Sequence, residues 1–115
     1  MHNEKLLYIF GAKKIIQNGK NALIRLIANY FKTQPVIKAW LFGSYARGEE
    51  TEKSDVDIIV SLDYSRRIGL KFFKMGLELE KLIGRPVDLV EDGQLLPFAK
   101  KTAEKDKTLI YERES

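Results

Sequence analysis

Two aspartates, Asp55 and Asp57, stand at the start of an otherwise apolar stretch, "DVDIIVSL" at positions 55–62. Because side chains alternate across a β-strand, the two carboxylates share one face and the apolar residues that alternate with them share the other. Same-face neighbours lie about 6.5–7 Å apart, a separation that lets two carboxylates close around one or two divalent cations. A carboxylate beside a core costs several kcal/mol unless its charge is compensated. Either this strand end is solvated, or a cation belongs there.

A third aspartate, Asp88, lies inside the apolar segment "PVDLV" at positions 86–90. If the strands that hold these segments are neighbours, Asp88 completes a three-carboxylate cluster with Asp55 and Asp57. The chain has no cysteine and one histidine, His2. Hard oxygen ligands without histidine or cysteine select Mg²⁺ or Mn²⁺ over zinc.

The stretch ahead of the paired aspartates, "GSYARG" at 43–48, has the residue types of a phosphate-binding turn. Gly43 allows a tight turn and close approach of a ligand to the backbone. Ser44 opens a predicted short helical turn whose N–H groups and hydroxyl suit an anionic oxygen. Arg47 can offer a planar guanidinium to phosphate. A phosphate-binding turn beside a carboxylate cluster predicts a metal-bridged nucleoside triphosphate, and hence phosphoryl or nucleotidyl transfer.

Each of these features alone is more often structural than catalytic, and the prediction of a catalytic site depends on their combination at fixed spacing. The acidic residues that follow the turn are not predicted to belong to this site. Glu49, Glu50 and Glu52 are interpreted as a solvated loop.

The N-terminal third of the chain reads as helical. Apolar residues recur at helical spacing over positions 4–33, and Asn18-Gly19 interrupts the pattern. Asn21 can cap a second helix, so two helices or one bent helix are both open. Gln34-Pro35 predicts the helix end, and "VIKAWLF" at 36–42 predicts the first strand.

The rest of the chain alternates strands with helices. A helix is predicted over 66–83 with Leu70, Phe73, Leu77 and the apolar residues of 79–83 facing inward, ended by Gly84. The other predicted elements are strands at 55–62 and 86–92, a helix from near Leu95 to Asp106, and a closing strand or docked tail at 108–113. The pattern predicts one α/β (α+β) domain over residues 1–115, with a small, mostly buried sheet.

Composition narrows the class of protein. A chain of 115 residues that is 44% apolar and 31% charged is ordinary for one soluble domain. The absence of cysteine favours a reducing cytoplasm, and no apolar run approaches the roughly 20 residues that span a bilayer. Residues 1–48 hold eight Lys or Arg against one acid. This basic half could be a solvated helix face, or could meet nucleic acid, nucleotide phosphates or an acidic protein.

The spacing of Gly43-Ser44, ten intervening residues and then Asp55-Val56-Asp57 resembles the signature of the DNA polymerase β-like nucleotidyltransferase superfamily. "GSYARGEETEKSDVDIIV" followed by "GRPVDLV" looks like its minimal nucleotidyltransferase (MNT) branch. The resemblance covers about residues 21–113 and implies a polymerase β-like core, a small mixed sheet flanked by helices. Residues 1–20 are left as a helical extension whose role is open.

The resemblance also implies roles for the site residues. Asp55 and Asp57 would hold two Mg²⁺ ions, and Asp88 would bind the second ion and deprotonate or orient the acceptor hydroxyl. In the same way, Gly43 and Ser44 would hold the β- and γ-phosphates of ATP, with Arg47 as an auxiliary.

Minimal proteins of this branch are similar to antitoxins encoded beside HEPN-domain ribonucleases. The resemblance therefore implies transfer of AMP from ATP to a tyrosine hydroxyl of a cognate HEPN toxin, within a hetero-oligomer. No membrane partner is expected, and direct contact with nucleic acid is not required. Two alternatives stay open: a nucleotidyltransferase that acts on a small molecule or an RNA 3′ end, and a non-catalytic antitoxin that acts by contact.

Overall fold

The computed structural model describes residues 12–95 and 97–114 of the chain. Its elements are, in chain order, α1 (Ala12–Phe31), β1 (Val36–Phe42), α2 (Gly43–Arg47), β2 (Val56–Leu62), α3 (Lys71–Ile83), β3 (Val87–Glu91), a 3₁₀ turn (Asp92–Gln94), α4 (Pro97–Asp106) and β4 (Thr108–Glu112). Positions 4–11 of the predicted first helix lie outside the described residues. Within the described ranges, no helix has the length and apolar character that crossing a membrane requires.

The four strands form one mixed sheet in the order β3-β2-β1-β4. Strand β1 is antiparallel to both β2 and β4, whereas β2 and β3 are parallel. Helix α3 makes the crossover that a parallel pair needs. The predicted mixed sheet flanked by helices is confirmed, and the segment at 108–113 forms a strand. This topology brings the end of β1 and the starts of β2 and β3 to one edge of the sheet.

Helix α1 runs without a break through Asn18-Gly19, so of the two alternatives a second helix capped by Asn21 is excluded. A glycine inside a helix costs about 1 kcal/mol relative to alanine. Burial of one large apolar side chain contributes about 1.5–3 kcal/mol. The helix buries Ile27 and Phe31 completely, and this packing outweighs the local penalty. It ends before Pro35, as predicted.

The core lies between β2 and the helices α1 and α3. Its fully buried members include Val56, Ile58 and Val60 of β2, Ile27 and Phe31 of α1, and Met75 and Leu79 of α3. By strand alternation, Asp57 lies on the opposite face of β2 from this cluster.

Helix α3 corrects the sequence-based prediction in its start and its orientation. It begins at Lys71 and not at position 66, because Gly69 takes a φ of +50°, which lies outside the right-handed helical region. Leu70, Phe73 and Leu77 do not face inward: their exposed fractions are 83%, 69% and 48%.

The inward stripe of α3 consists of Phe72, Met75, Leu79 and Ile83, which are buried or half-buried. Its members recur at i, i+3, i+7 and i+11, and the outward stripe has the same spacing. Periodicity alone could not decide between two apolar stripes on one helix.

Candidate active site

Asp57 occupies the centre of the edge at which the three strand ends meet. In the sheet register it lies opposite Phe42 of β1 on one side and Asp88 of β3 on the other. Gly43 directly follows Phe42, and Asp55 directly precedes β2. The structure thus gathers the predicted aspartates and the predicted phosphate-binding turn at one place. Asp55 and Asp88 are exposed, while Asp57 is partly buried.

The turn and the carboxylate are in direct contact. Gly43 has a φ of +68°, which an L-residue adopts at a cost, and a Cβ added there would lie 2.3 Å from Asp57 Oδ2. Position 43 therefore requires glycine for two independent reasons. The contact also places the Asp57 carboxylate against the backbone that opens α2.

The electrostatics of Asp57 show a site with uncompensated negative charge. Burial, and then the negative charges of Asp88 and Asp55, raise the pKa of Asp57 to about 6, against a smaller opposing effect from Arg47. Each of these causes disfavours the ionised carboxylate. A bound cation would reverse the balance.

The donor set fits a hard divalent cation, because it consists of carboxylate oxygens alone. In the described part of the chain, however, no three His, Asp or Glu side chains are already arranged around one metal position. The predicted cluster is thus a set of neighbouring carboxylates and not a closed cage. Mg²⁺ is commonly held in this way, by one or two carboxylates together with substrate phosphates and water.

Helix α2 presents Ser44 and ends at Gly48. Gly48 takes a φ of +72° and donates its backbone N–H to the Ser44 carbonyl, which also accepts from Glu49 N at 2.9 Å. The Ser44 carbonyl is therefore satisfied within the turn. Its side-chain hydroxyl makes no hydrogen bond to any residue that the structure describes, and so is available to a ligand.

Arg47 is paired within the protein. Its Nε donates to Glu49 Oε1 at 2.8 Å, and its Nη1 donates to Asp106 Oδ2 at 3.3 Å. These carboxylates raise the pKa of Arg47. Ion pairs of an exposed guanidinium contribute little to stability, so an incoming phosphate could replace them at small cost.

The chain is similar to proteins of known family. Residues 24–110 match the family model described as "Nucleotidyltransferase domain". The chain belongs to this family. A Methanocaldococcus jannaschii protein named "Putative protein adenylyltransferase MJ1379" is 37% identical over 101 residues, which cover 86% of this chain and 92% of the relative.

Solved structures share the fold of this nucleotidyltransferase. A crystal structure of a toxin–antitoxin with AMP-PNP superposes with a TM-score of 0.63 at 20% identity, over 83% of this chain and 74% of the other. The complex of a tri-AMPylated Shewanella oneidensis HEPN toxin with MNT antitoxin gives 0.56 at 18% identity, over 84% and 72%. At these identities the likeness concerns the fold alone.

The loop that leads to Asp55 is held by a side chain that the sequence does not point to, that of Arg85. Arg85 Nη1 donates to the carbonyl oxygens of Glu52 at 3.0 Å and Thr51 at 3.4 Å, and so fixes the loop just ahead of the aspartates. No local pattern predicts this contact, because it joins residues about thirty positions apart. Arg85 is thus a loop-positioning residue that sequence reasoning missed.

The sequence analysis interprets Glu50 as part of a solvated loop, and the structure contradicts this interpretation. Its side chain is 12% exposed and its Oε1 lies 3.9 Å from Lys20 Nζ. That oxygen has no hydrogen-bond partner in the described part of the chain. Glu50 and Lys20 line a cavity of about 450 Å³ beside α1 and α2, and none of the three aspartates lines it.

The raised pKa of Asp57 predicts the thermal stability of Asp57→Asn without ligands. Between pH 4 and 6 the native carboxyl retains a proton that the unfolded chain releases, so the wild type loses stability as pH rises through this window. Asp57→Asn removes this penalty. Its melting temperature should exceed that of the wild type by about 3–5 °C above pH 6.5, after allowance for solvent screening, and the difference should vanish below about pH 4.

Asp63→Asn provides the control of opposite sign, because hydrogen bonds from Ser65 and Arg113 hold the pKa of Asp63 well below its ordinary value. That stabilisation is present above pH 4 and is lost as pH falls towards 2, so Asp63→Asn should melt lower than wild type at neutral pH. With saturating Mg²⁺ and ATP, the wild type should become more stable than Asp57→Asn through ligand linkage. Strong destabilisation of ligand-free Asp57→Asn at pH 8 would contradict the account.

Proposed function

We propose that this nucleotidyltransferase is an antitoxin-type protein adenylyltransferase, which transfers AMP from ATP to a tyrosine hydroxyl of a cognate HEPN toxin and so neutralises it. The observation that carries the proposal is the position of Asp57, which lies against Gly43 with Asp88 in register beside it and with its pKa raised by burial and by the neighbouring carboxylates. Carboxylates next to a glycine turn at this end of the sheet can bind a cation together with a triphosphate.

The paired aspartates, Asp55 and Asp57, would hold the metal, which we propose to be two Mg²⁺ ions, with Asp88 beside them. Bound there, Mg²⁺ would neutralise charge on the triphosphate and favour ionisation of the acceptor hydroxyl. The ions would also replace the repulsion among the three carboxylates by attraction, because each carboxylate would then face a positive charge.

The nucleotide would lie along the turn that opens α2. The backbone at Gly43 and the unpartnered Ser44 hydroxyl would donate hydrogen bonds to the β- and γ-phosphates. Arg47 would exchange Glu49 and Asp106 for a phosphate oxygen, a charge-assisted contact of the same kind. With the β- and γ-phosphates held at this turn, the α-phosphate would face the aspartates.

In the reaction, Asp88 would accept a hydrogen bond from the acceptor hydroxyl, orient it and take up its proton. The acceptor oxygen forms a bond to the α-phosphorus as the bond to the bridging oxygen breaks, and pyrophosphate carries away the electron pair. The exposure of Asp55 and Asp88 supports a macromolecular acceptor, because a protein hydroxyl can reach them without entering a closed cavity.

The test separates nucleotidyl transfer from phosphoryl transfer. The chain would be co-purified with the proposed cognate HEPN protein and incubated with Mg²⁺ and ATP labelled at either the α- or the γ-phosphate. The proposal predicts α-label on a tyrosine of the HEPN protein and none from γ-labelled ATP. Label from γ-ATP alone would indicate a kinase, and α-label on RNA would favour the rival acceptor class. No label with a stable complex would favour inhibition by contact.

A further inference from the structure

Helix α3 carries an exposed apolar stripe that the reaction does not use. Leu70, Phe73 and Leu77 recur at i, i+3 and i+7 and therefore lie on one side of the helix, with exposed fractions of 83%, 69% and 48%. Single exposed apolar residues are ordinary, but an aligned set on one helix face forms a continuous patch. We call these three residues the α3 stripe.

The α3 stripe is bordered by four basic side chains, Arg66, Arg67, Lys71 and Lys74. Lys71 and Lys74 line two shallow cavities. One, of about 320 Å³, is also lined by Arg67 and by Leu70 of the stripe, and the other, of about 230 Å³, is also lined by Arg66. In the part of the chain that the structure describes, none of the four makes an ion pair. One acidic residue, Glu78, lies near the rim and accepts a hydrogen bond from the Tyr30 hydroxyl. The basic rim is thus a concentration of unpaired positive charge around an apolar centre.

The patch lies towards the end of α3 that is remote from the candidate active site. Helix α3 leads from the end of β2 back to the start of β3, where Asp88 lies, so Leu70 and Asp88 are at opposite ends of a 13-residue helix. At 1.5 Å per residue this helix is about 20 Å long. A molecule bound on the α3 stripe would leave the exposed carboxylates accessible.

We propose, on the basis of the proposed function, that the α3 stripe and its basic rim are the docking surface for the protein acceptor. The matching surface has apolar residues at its centre and Asp or Glu around them. Apolar anchors surrounded by polar contacts are the usual anatomy of a protein interface, and complementary rim charges speed association.

The charges argue against the other occupants. A second copy of this chain would bring two unpaired basic rims together, which costs free energy through like-charge repulsion. A nucleic acid would match the rim through its phosphates, but would leave Leu70, Phe73 and Leu77 against a charged backbone. A surface that is apolar in the middle and acidic at its edge satisfies both parts of the patch.

Docking at this distance has a consequence for the reaction. Binding through α3 converts the approach of the acceptor hydroxyl to Asp88 into an intramolecular event, which raises its effective concentration. Loss of the docking contact should therefore lower transfer to the protein acceptor and leave nucleotide binding intact.

The test uses the full chain and the proposed cognate HEPN protein, with dissociation constants measured at several salt concentrations. Phe73→Ser combined with Leu77→Ser, and separately Lys71→Glu combined with Lys74→Glu, should each weaken the complex by at least about tenfold. The lysine pair should also reduce the salt dependence. ATP affinity should not change in either double variant.

Phe98→Ser is the matched control, because Phe98 on α4 is 74% exposed and lies outside the patch. An unchanged dissociation constant in the α3 variants, or an equal weakening by Phe98→Ser, would overturn the inference. So would a wild-type homodimer, or co-purified RNA, that is lost in the α3 variants.

The two proposals fail separately. If the complex depends on α3 but no AMP is transferred, the docking surface stands and the adenylyltransferase function falls. If AMP is transferred and the α3 variants bind as the wild type does, the function stands and the docking surface falls.

Discussion

Asp55→Asn and Asp57→Asn should each lower kcat/KM for nucleotidyl transfer by about a thousandfold or more, a loss of about 4 kcal/mol of transition-state stabilisation. Asparagine keeps the shape of the side chain and removes its charge, so the change isolates the ability to hold a cation. Asp57 is the more critical, because it lies between the turn at Gly43 and the carboxylate at Asp88.

The activity would be measured as α-label on the protein acceptor, with Asp63→Asn as a control that removes a carboxylate at the far end of β2. The complex with the acceptor should form normally in both active-site variants, because the proposed docking surface is elsewhere. If Asp55→Asn with Asp57→Asn still neutralises the toxin in cells, contact inhibition replaces catalysis as the explanation.

Gly43→Ala should lower activity by at least about a hundredfold and reduce stability by more than the roughly 1 kcal/mol that an L-residue costs in the left-handed region. The added Cβ would meet Asp57 Oδ2 at 2.3 Å and Asp57 Cγ at 3.2 Å, so the carboxylate or the turn must move. Small displacements of reacting groups are enough for losses of this size.

Gly48→Ala is the matched control for this change. Gly48 has nearly the same positive φ, +72°, but a Cβ added there would have nothing within 4 Å. It should therefore show the backbone penalty in its melting temperature and retain most of its activity. Equal loss of activity in both variants would show that the turn conformation matters and the contact with Asp57 does not.

Local signals explain how much of this protein could be predicted from its sequence. The paired aspartates, the Gly-Ser turn and the β-rich runs are short patterns whose physical reasons lie within a few residues, and the strands and the short α2 helix form where they were predicted. The sequence predicts that Asp57 and Asp88 lie together only if their strands are neighbours. The parallel register of β2 and β3 places the two residues side by side.

The wrong predictions depend on tertiary packing. The helix continues through Gly19 because Ile27 and Phe31 are buried against the sheet, and α3 turns one of its two apolar stripes inward for the same reason. Glu50 is enclosed by Lys20, thirty residues away in sequence. Such long-range contacts leave no trace in local spacing.

Other sequence-based expectations remain predictions. These include the roles of the six site residues, the number of Mg²⁺ ions, the cytoplasmic location and the single domain over residues 1–115. The role of the basic N-terminal half also remains a prediction with several alternatives. The unpaired basic rim of α3 makes basic residues of the second half candidates for partner binding too.

The most direct test of the central claim is the intact mass of both chains, co-purified and then incubated with Mg²⁺ and ATP. The account predicts that the HEPN protein gains one or more AMP units on tyrosine, that the nucleotidyltransferase gains none, and that the Asp55→Asn, Asp57→Asn double variant produces no gain. An unchanged mass of the HEPN protein with the wild-type enzyme, in a complex that is fully assembled, would contradict it.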